Sequence, residues 1–176
     1  YGSFTGSINA KMIKDIGAKF IILGHSENRF TGDTNKIINL KVKSSINENL
    51  KVIFCFGENF DQRKKSKTFQ VIKKQISAGL KNIKKKQNII FAYEPVWSIG
   101  TGMILNSENL EKQILNIKNY IKKKLKIPNP KVLYGGSVNP KNIKNFKNIK
   151  SLDGFLIGGA SQKSINFIDI IKKMIN

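Results

Sequence analysis

Residues 89–102 read IIFAYEPVWSIGTG. Five consecutive apolar residues, Ile89–Tyr93, stop abruptly at Glu94-Pro95, and Gly100 and Gly102 bracket the end of the segment. An unbroken apolar run of this length, lacking the alternation of a half-exposed strand, has the pattern of a parallel strand buried on both faces. Four more runs share the form: Phe20–Leu23, Val52–Phe56, Val132–Tyr134 and Phe155–Ile157. Each gives way to small or chemically active residues, namely Gly24-His25-Ser26-Glu27, Gly57-Glu58-Asn59, Gly135-Gly136-Ser137 and Gly158-Gly159-Ala160-Ser161.

Between the runs the apolar positions switch to a helical period. Phe69, Ile72, Ile76 and Leu80 form one stripe, and Leu110, Ile114, Ile117, Ile121 and Leu125 form another on a longer helix. A helix at about Asn9–Ile16 precedes the first strand. Asn139-Pro140 predicts an N-cap and first-turn proline for a helix reaching about Asn148. Ile168, Ile171 and Ile175 predict a final amphipathic helix. Such β-α alternation implies an α/β fold with a parallel sheet and right-handed crossovers. No Pro/Gly/Ser-rich linker divides the chain, so residues 1–176 read as one domain.

Composition narrows the function classes. Thirty-two Lys and Arg against eleven Asp and Glu give a formal charge of +21, which raises nucleic-acid binding. Only Arg29 and Arg63 are arginines, however, and arginine is the residue whose planar fork reads phosphates and guanines. The lysines are spread along the chain, and the runs Lys64-Lys65, Lys84–Lys86 and Lys122–Lys124 fall in patterns that read as solvated helix faces. The expectation is weak, unspecific attraction to nucleic acid and a positive field that draws small anions. No apolar run approaches the ~20 residues of a membrane span, and no secretory signal is visible at the N-terminus. The single cysteine, Cys55, forms no intramolecular disulfide, and a cytoplasmic location is expected.

The chemistry is expected at the carboxyl ends of the strands. His25, the only histidine, follows a strand and Gly24 and opens a helix-start sequence, where backbone N–H groups favour a neutral, donating imidazole. The alternative is a surface or satisfied core histidine. Glu94, flanked by Tyr93, Val96 and Trp97, reads either as a partly desolvated base or as an ordinary strand-end glutamate in a salt bridge. Gly135-Gly136-Ser137 and Gly158-Gly159 read as anion cradles or as tight turns that need a positive φ. Two such turns on the last two strands match the usual phosphate site of a barrel. Leu105 stands where a dinucleotide fingerprint after Gly100-Thr101-Gly102 needs its third glycine, and there is no Walker motif and no metal-ligand cluster.

The motifs GHSENR (24–29), AYEPVWSIGTG (92–102), LYGGSV (133–138) and GFLIGGAS (154–161), with FTG (4–6) and CFGE (55–58), closely resemble those of the triosephosphate isomerase family, in the same order and over essentially the whole chain. The resemblance implies a TIM (β/α)8 barrel and interconversion of dihydroxyacetone phosphate and glyceraldehyde 3-phosphate through an enediol, a step of glycolysis and gluconeogenesis. It implies that Glu94 is the base and His25 the electrophile. Gly100, Ser137, Gly158 and Gly159 would hold the phosphate. Pro95, Val96, Trp97, Ser98, Ile99, Gly100, Thr101 and Gly102 would form a mobile lid. Ile99 and Leu156 would cover the base. It implies a homodimer, small phosphorylated triose substrates, and no cofactor or metal.

Several residues depart from the family pattern. A lysine after strand one, preceded nearby by an asparagine, cannot be placed. A full barrel takes about 250 residues, so the chain is expected to be N-terminally truncated and to hold about the last five strands. Glu27, whose family counterpart contacts that lysine, would lack its partner. Met103-Ile104-Leu105 replaces the usual Lys-Thr-Ala of the second lid hinge. Ser7 replaces the usual Glu after FTG, in a loop (Tyr1–Ser7) expected to reach a neighbouring subunit. The alternatives are a catalytically incomplete phosphate-binding fragment of the same enzyme, another phosphate-binding barrel enzyme, and a lysine-driven nucleic-acid binder.

Overall fold

The computed structural model describes residues 5–175; Tyr1–Phe4 of the FTG and dimer-loop readings lie outside the described residues. Five strands, β1 (Phe20–Leu23), β2 (Lys51–Phe56), β3 (Ile89–Tyr93), β4 (Val132–Tyr134) and β5 (Gly154–Phe155), form one sheet in sequential order. All neighbouring pairs are parallel. The register sets Phe56 beside Tyr93, Tyr93 beside Tyr134, and Tyr134 beside Phe155. The carboxyl ends of four strands are thereby level, and the residues following them meet at one rim.

Helices cover one face of this sheet. In α3 (Asn35–Asn47), α5 (Thr68–Gly79) and α6 (Ser107–Leu125) the apolar residues repeat every three or four positions, which gathers them on one side of each helix. All five members of the Leu110 to Leu125 stripe are buried, as are Ile72, Ile76 and Leu80. They pack with Val52, Phe54, Phe56, Phe91, Tyr93, Val132 and Tyr134 in one core cluster. Gly79 lets α5 approach, since a Cβ there would lie 2.5 Å from the Phe54 ring.

Burial on both faces is corrected at β1. Phe20 and Ile22 are 46% and 45% exposed, while Leu23 on the opposite face is buried. Strand residues alternate between faces, and among the described residues only the helix-bearing face is fully covered. The final helix departs similarly. In α7 (Ser164–Ile175) the predicted stripe of Ile168, Ile171 and Ile175 is 50%, 42% and 78% exposed, and Ile170 makes the buried contact instead. Among the described residues β5 is a sheet edge, with no further strand beside it for that stripe to cover.

Two other expectations fail locally. The helix predicted from Asn139 to about Asn148 is a short 3₁₀ segment, Ile143–Phe146. Asn139 Oδ1 does cap the turn by accepting the Lys141 and Asn142 N–H groups. Ile143, Phe146 and Ile149 are buried at a spacing of three, which suits 3₁₀ rather than α geometry. Lys84 and Lys85 lie in a loop before a 3₁₀ turn (Lys86–Asn88), not on a helix. The smaller α1 (Ala10–Asp15) is present, with Asn9 accepting the Met12 N–H as its cap.

One buried polar contact ties two helices together. Asn39 Nδ2, on α3, donates to the carbonyls of Gly79 (2.9 Å) and Lys81 (3.0 Å) at the end of α5, where carbonyls lack helical partners. Replacing Asn39 with leucine is expected to cost about 1–3 kcal/mol, because two carbonyls lose their donor. Equilibrium urea unfolding measures this, and an unchanged midpoint would contradict it.

Candidate active site

Glu94 is the first residue beyond β3. Its N–H donates to Phe56 O (2.8 Å), continuing the ladder to the adjacent strand and fixing the rim position of its side chain. It is only 2% exposed. Burial raises its pKa to about 7, opposed by hydrogen bonds from the Cys55 thiol and the Ser26 N–H and by the charge of Arg29. Gly135 makes room for it, since a Cβ there would lie 2.7 Å from Glu94 Cγ. Cys55 is itself buried, and desolvation drives its thiol pKa upward, so it stays a thiol whose S–H donates a hydrogen bond to the Glu94 carboxylate.

His25 caps α2 (Ser26–Phe30), with Nδ1 accepting the Glu27 N–H at 3.3 Å. That bond leaves the proton of a neutral ring on Nε2, which lies 3.4 Å from Glu94 Oε1. Two groups from different strand ends therefore meet across the rim, one able to remove a proton and the other to donate a hydrogen bond. Glu27 stands apart, with its side chain 86% exposed and 3.8 Å from His25 Nδ1.

A cavity of about 380 Å³ opens on this pair. Its lining includes His25, Glu94, Ile99, Gly100, Ser137, Leu156, Gly158 and Gly159, so every predicted phosphate contact and both predicted covering residues share one space. Of the lid segment, only Ile99 and Gly100 reach it. Pro95 is buried behind, Val96–Ser98 form a 3₁₀ turn, and Thr101 Oγ1 donates to Trp97 O (3.0 Å). No lysine or arginine is among the lining residues. An anion here would be held by backbone N–H groups.

The glycines separate into two kinds. Neither Gly135, Gly136, Gly158 nor Gly159 has a positive φ, which corrects the tight-turn reading. Gly136 is required sterically, because a Cβ there would lie 2.1 Å from the Tyr134 hydroxyl oxygen. A Cβ at Gly158 or Gly159 would meet nothing within 4 Å. What glycine provides at that turn is an uncovered backbone facing the cavity.

Residue types alone did not single out Glu58. It is fully buried beyond β2 and accepts hydrogen bonds from Tyr93 Oη (3.1 Å), Trp97 Nε1 (3.0 Å) and Arg63 (3.4 Å). The Arg63 guanidinium also lies 4.6 Å from the Trp97 ring centroid. Trp97 is thus anchored to the residue following β2 and to α4 (Phe60–Lys64), on which Arg63 sits. The strand-end position that marks Glu94 also marks Glu58 and was the available signal. Arg29 ties the ends of β1 and β2 beside Glu94, donating to Gly24 O (2.7 Å), Cys55 O (3.2 Å) and Asn35 Oδ1 (2.8 Å). Both arginines of this lysine-rich chain therefore serve the site, where a planar fork contacts several acceptors at once.

Fold and site together define an α/β-barrel type of protein, with its functional groups at the carboxyl ends of parallel strands. The model of the triosephosphate isomerase family matches residues 1–174, and the chain belongs to that family. It is 41% identical over 174 residues to the triosephosphate isomerase of Thermodesulfovibrio yellowstonii, covering 97% of this chain and 71% of the relative. The enzyme of Yarrowia lipolytica is 42% identical over 177 residues, with coverages of 99% and 71%. That of Mycoplasma mobile is 44% identical over 172 residues, with coverages of 97% and 69%. No helix among the described residues is long and apolar enough to cross a membrane.

Proposed function

We propose that this chain carries the catalytic pair of a triosephosphate isomerase that interconverts dihydroxyacetone phosphate and glyceraldehyde 3-phosphate, acting in the cytoplasm in glycolysis and gluconeogenesis as a homodimer. The observation that carries the reading is the 3.4 Å approach of His25 Nε2 to Glu94 Oε1 at the mouth of the cavity that also holds the glycine-rich turns. Glu94 takes the proton from one substrate carbon and returns it to the neighbouring carbon. A carboxylate with a pKa of about 7 is a stronger base than an exposed one and still gives the proton back readily. His25 donates from Nε2 to the carbonyl oxygen, where negative charge develops in the enediolate. A neutral histidine held by a helix N-terminus is the known electrophile of triosephosphate isomerases. In this chain the tautomer follows from the Glu27 N–H on Nδ1.

The phosphate rests on N–H groups at Gly100, Ser137, Gly158 and Gly159. Pro95–Gly102 close over it, and Ile99 and Leu156 exclude water from the carboxylate. Residues 1–176 act as a single barrel-type unit in this reading.

A second reading, a phosphate-binding unit without turnover, draws on two observations. The cavity lining has no lysine or arginine to offset substrate charge, and among the described residues the outer edges of β1 and β5 have no strand beside them. A coupled assay of the purified 176-residue chain with dihydroxyacetone phosphate separates the two. Formation of glyceraldehyde 3-phosphate supports the first, and ligand binding without product supports the second. Failure to bind the substrate or inorganic phosphate rejects both.

A further inference from the structure

Ser98 ends the 3₁₀ turn of the lid segment and is fully buried. Its hydroxyl donates to Met103 O across the lid, and Ser98 Oγ lies 3.3 Å from the Tyr134 hydroxyl oxygen. Ser98 Oγ also accepts the backbone N–H of Ser137 at 3.3 Å. Because the single Ser98 proton goes to Met103 O, the Tyr134 hydroxyl is the donor in its contact with Ser98 Oγ. One donor and two acceptor sites make up a serine hydroxyl's full capacity, and all three are used. A single buried atom thus joins the middle of the lid segment to the residue just beyond it, to the strand end of β4 and to the turn that follows β4.

The Ser137 N–H is also one of the groups assigned above to the substrate phosphate, and Ser137 lines the cavity. An N–H donates one good hydrogen bond at a time. We infer that Ser98 is a positioning residue that holds the Ser137 N–H against the lid and must yield it when a phosphate arrives, so that the Ser98 hydroxyl lowers phosphate affinity and couples phosphate binding to the lid. This rests on the phosphate reading of the cavity. Trp97, the chain's single tryptophan, is the neighbouring residue, so its emission reports the lid directly.

The test uses inorganic phosphate, followed by Trp97 fluorescence and by hydrogen exchange at the Ser137 amide. In Ser98→Ala the amide is expected to exchange faster in the absence of phosphate, to regain protection on saturation, and to bind phosphate roughly two- to tenfold more tightly, the equivalent of one net hydrogen bond. Tyr134→Phe removes a partner of Ser98 but leaves Oγ on the Ser137 N–H, and is expected to keep the wild-type affinity. An equal gain in Tyr134→Phe would mean general loosening of the lid and overturn the inference. Unchanged or weaker binding in Ser98→Ala, with the amide protected by phosphate in both proteins, overturns it while leaving the phosphate reading intact. No protection by phosphate in either protein overturns both.

Discussion

Glu94→Gln is expected to lower isomerase turnover by roughly 10²–10⁴-fold, the range for loss of a positioned general base, while phosphate binding stays close to normal. Glutamine keeps the size and hydrogen-bonding reach of the side chain but cannot take up a proton at neutral pH. Coupled-assay rates with phosphate titrations check both halves, and near-normal turnover would remove Glu94 from its proposed role. The same substitution should change stability in the opposite sense. Burial lifts the Glu94 pKa from 4.5 to about 7, so between those values the folded state binds more protons than the unfolded state. Stability then falls as pH rises through that window. Above it, the buried anion costs about 3 kcal/mol relative to the protonated form, from about 1.4 kcal/mol per unit. Glu94→Gln should abolish this part of the pH dependence and be the more stable protein at pH 8. Thermal midpoints of both proteins at pH 5 and pH 8 measure it. Parallel profiles would show that the Glu94 carboxyl is not desolvated.

Gly57→Ala is expected to be the most damaging small substitution in the sheet. A Cβ at this position would lie 1.7 Å from Glu94 O and 2.5 Å from its carbonyl carbon, and neither is the end of a flexible side chain. Relief requires the end of β3 to move away from β2, breaking the Glu94 N–H to Phe56 O bond and displacing the Glu94 carboxyl. The Gln75 amide also brackets Gly57 on its N–H and carbonyl, at 2.9 and 3.1 Å, so Gly57 cannot retreat freely. Overpacking of this kind costs about 3 kcal/mol or more, or roughly 6–12 °C in Tm for a chain of this size. Gly159→Ala, whose Cβ would meet nothing within 4 Å, should leave Tm nearly unchanged. Equal effects of the two would contradict the steric account.

Much of this was legible because the signals were local. The run Ile89–Tyr93 marked β3 and its abrupt end placed Glu94, since strand pattern and position at the rim are properties of consecutive residues. The five-residue stripe from Leu110 to Leu125 defined α6 for the same reason. Reading failed where the deciding partner is distant or where nothing covers a surface. Asn139-Pro140 carries good helix-start residues, but burial of Ile143 and Phe146 at a spacing of three tightened the turn. The α7 stripe reads as core, yet it lies exposed beside a sheet edge. Glu58 draws on Tyr93 and Trp97, 35 and 39 residues away, so no window of sequence contains that network.

By itself, then, the sequence determined the order of βα units, the family motifs, and the identity of His25 and Glu94 as the groups to examine. Period and residue type are encoded along the chain and need no third dimension to read. The tertiary structure alone decided that His25 Nε2 stands 3.4 Å from Glu94, that the carboxylate is dry, and that Ser98 holds the Ser137 N–H. Distance, desolvation and competition for one donor arise only when separate strand ends are brought level by sheet register, which is a property of the folded chain.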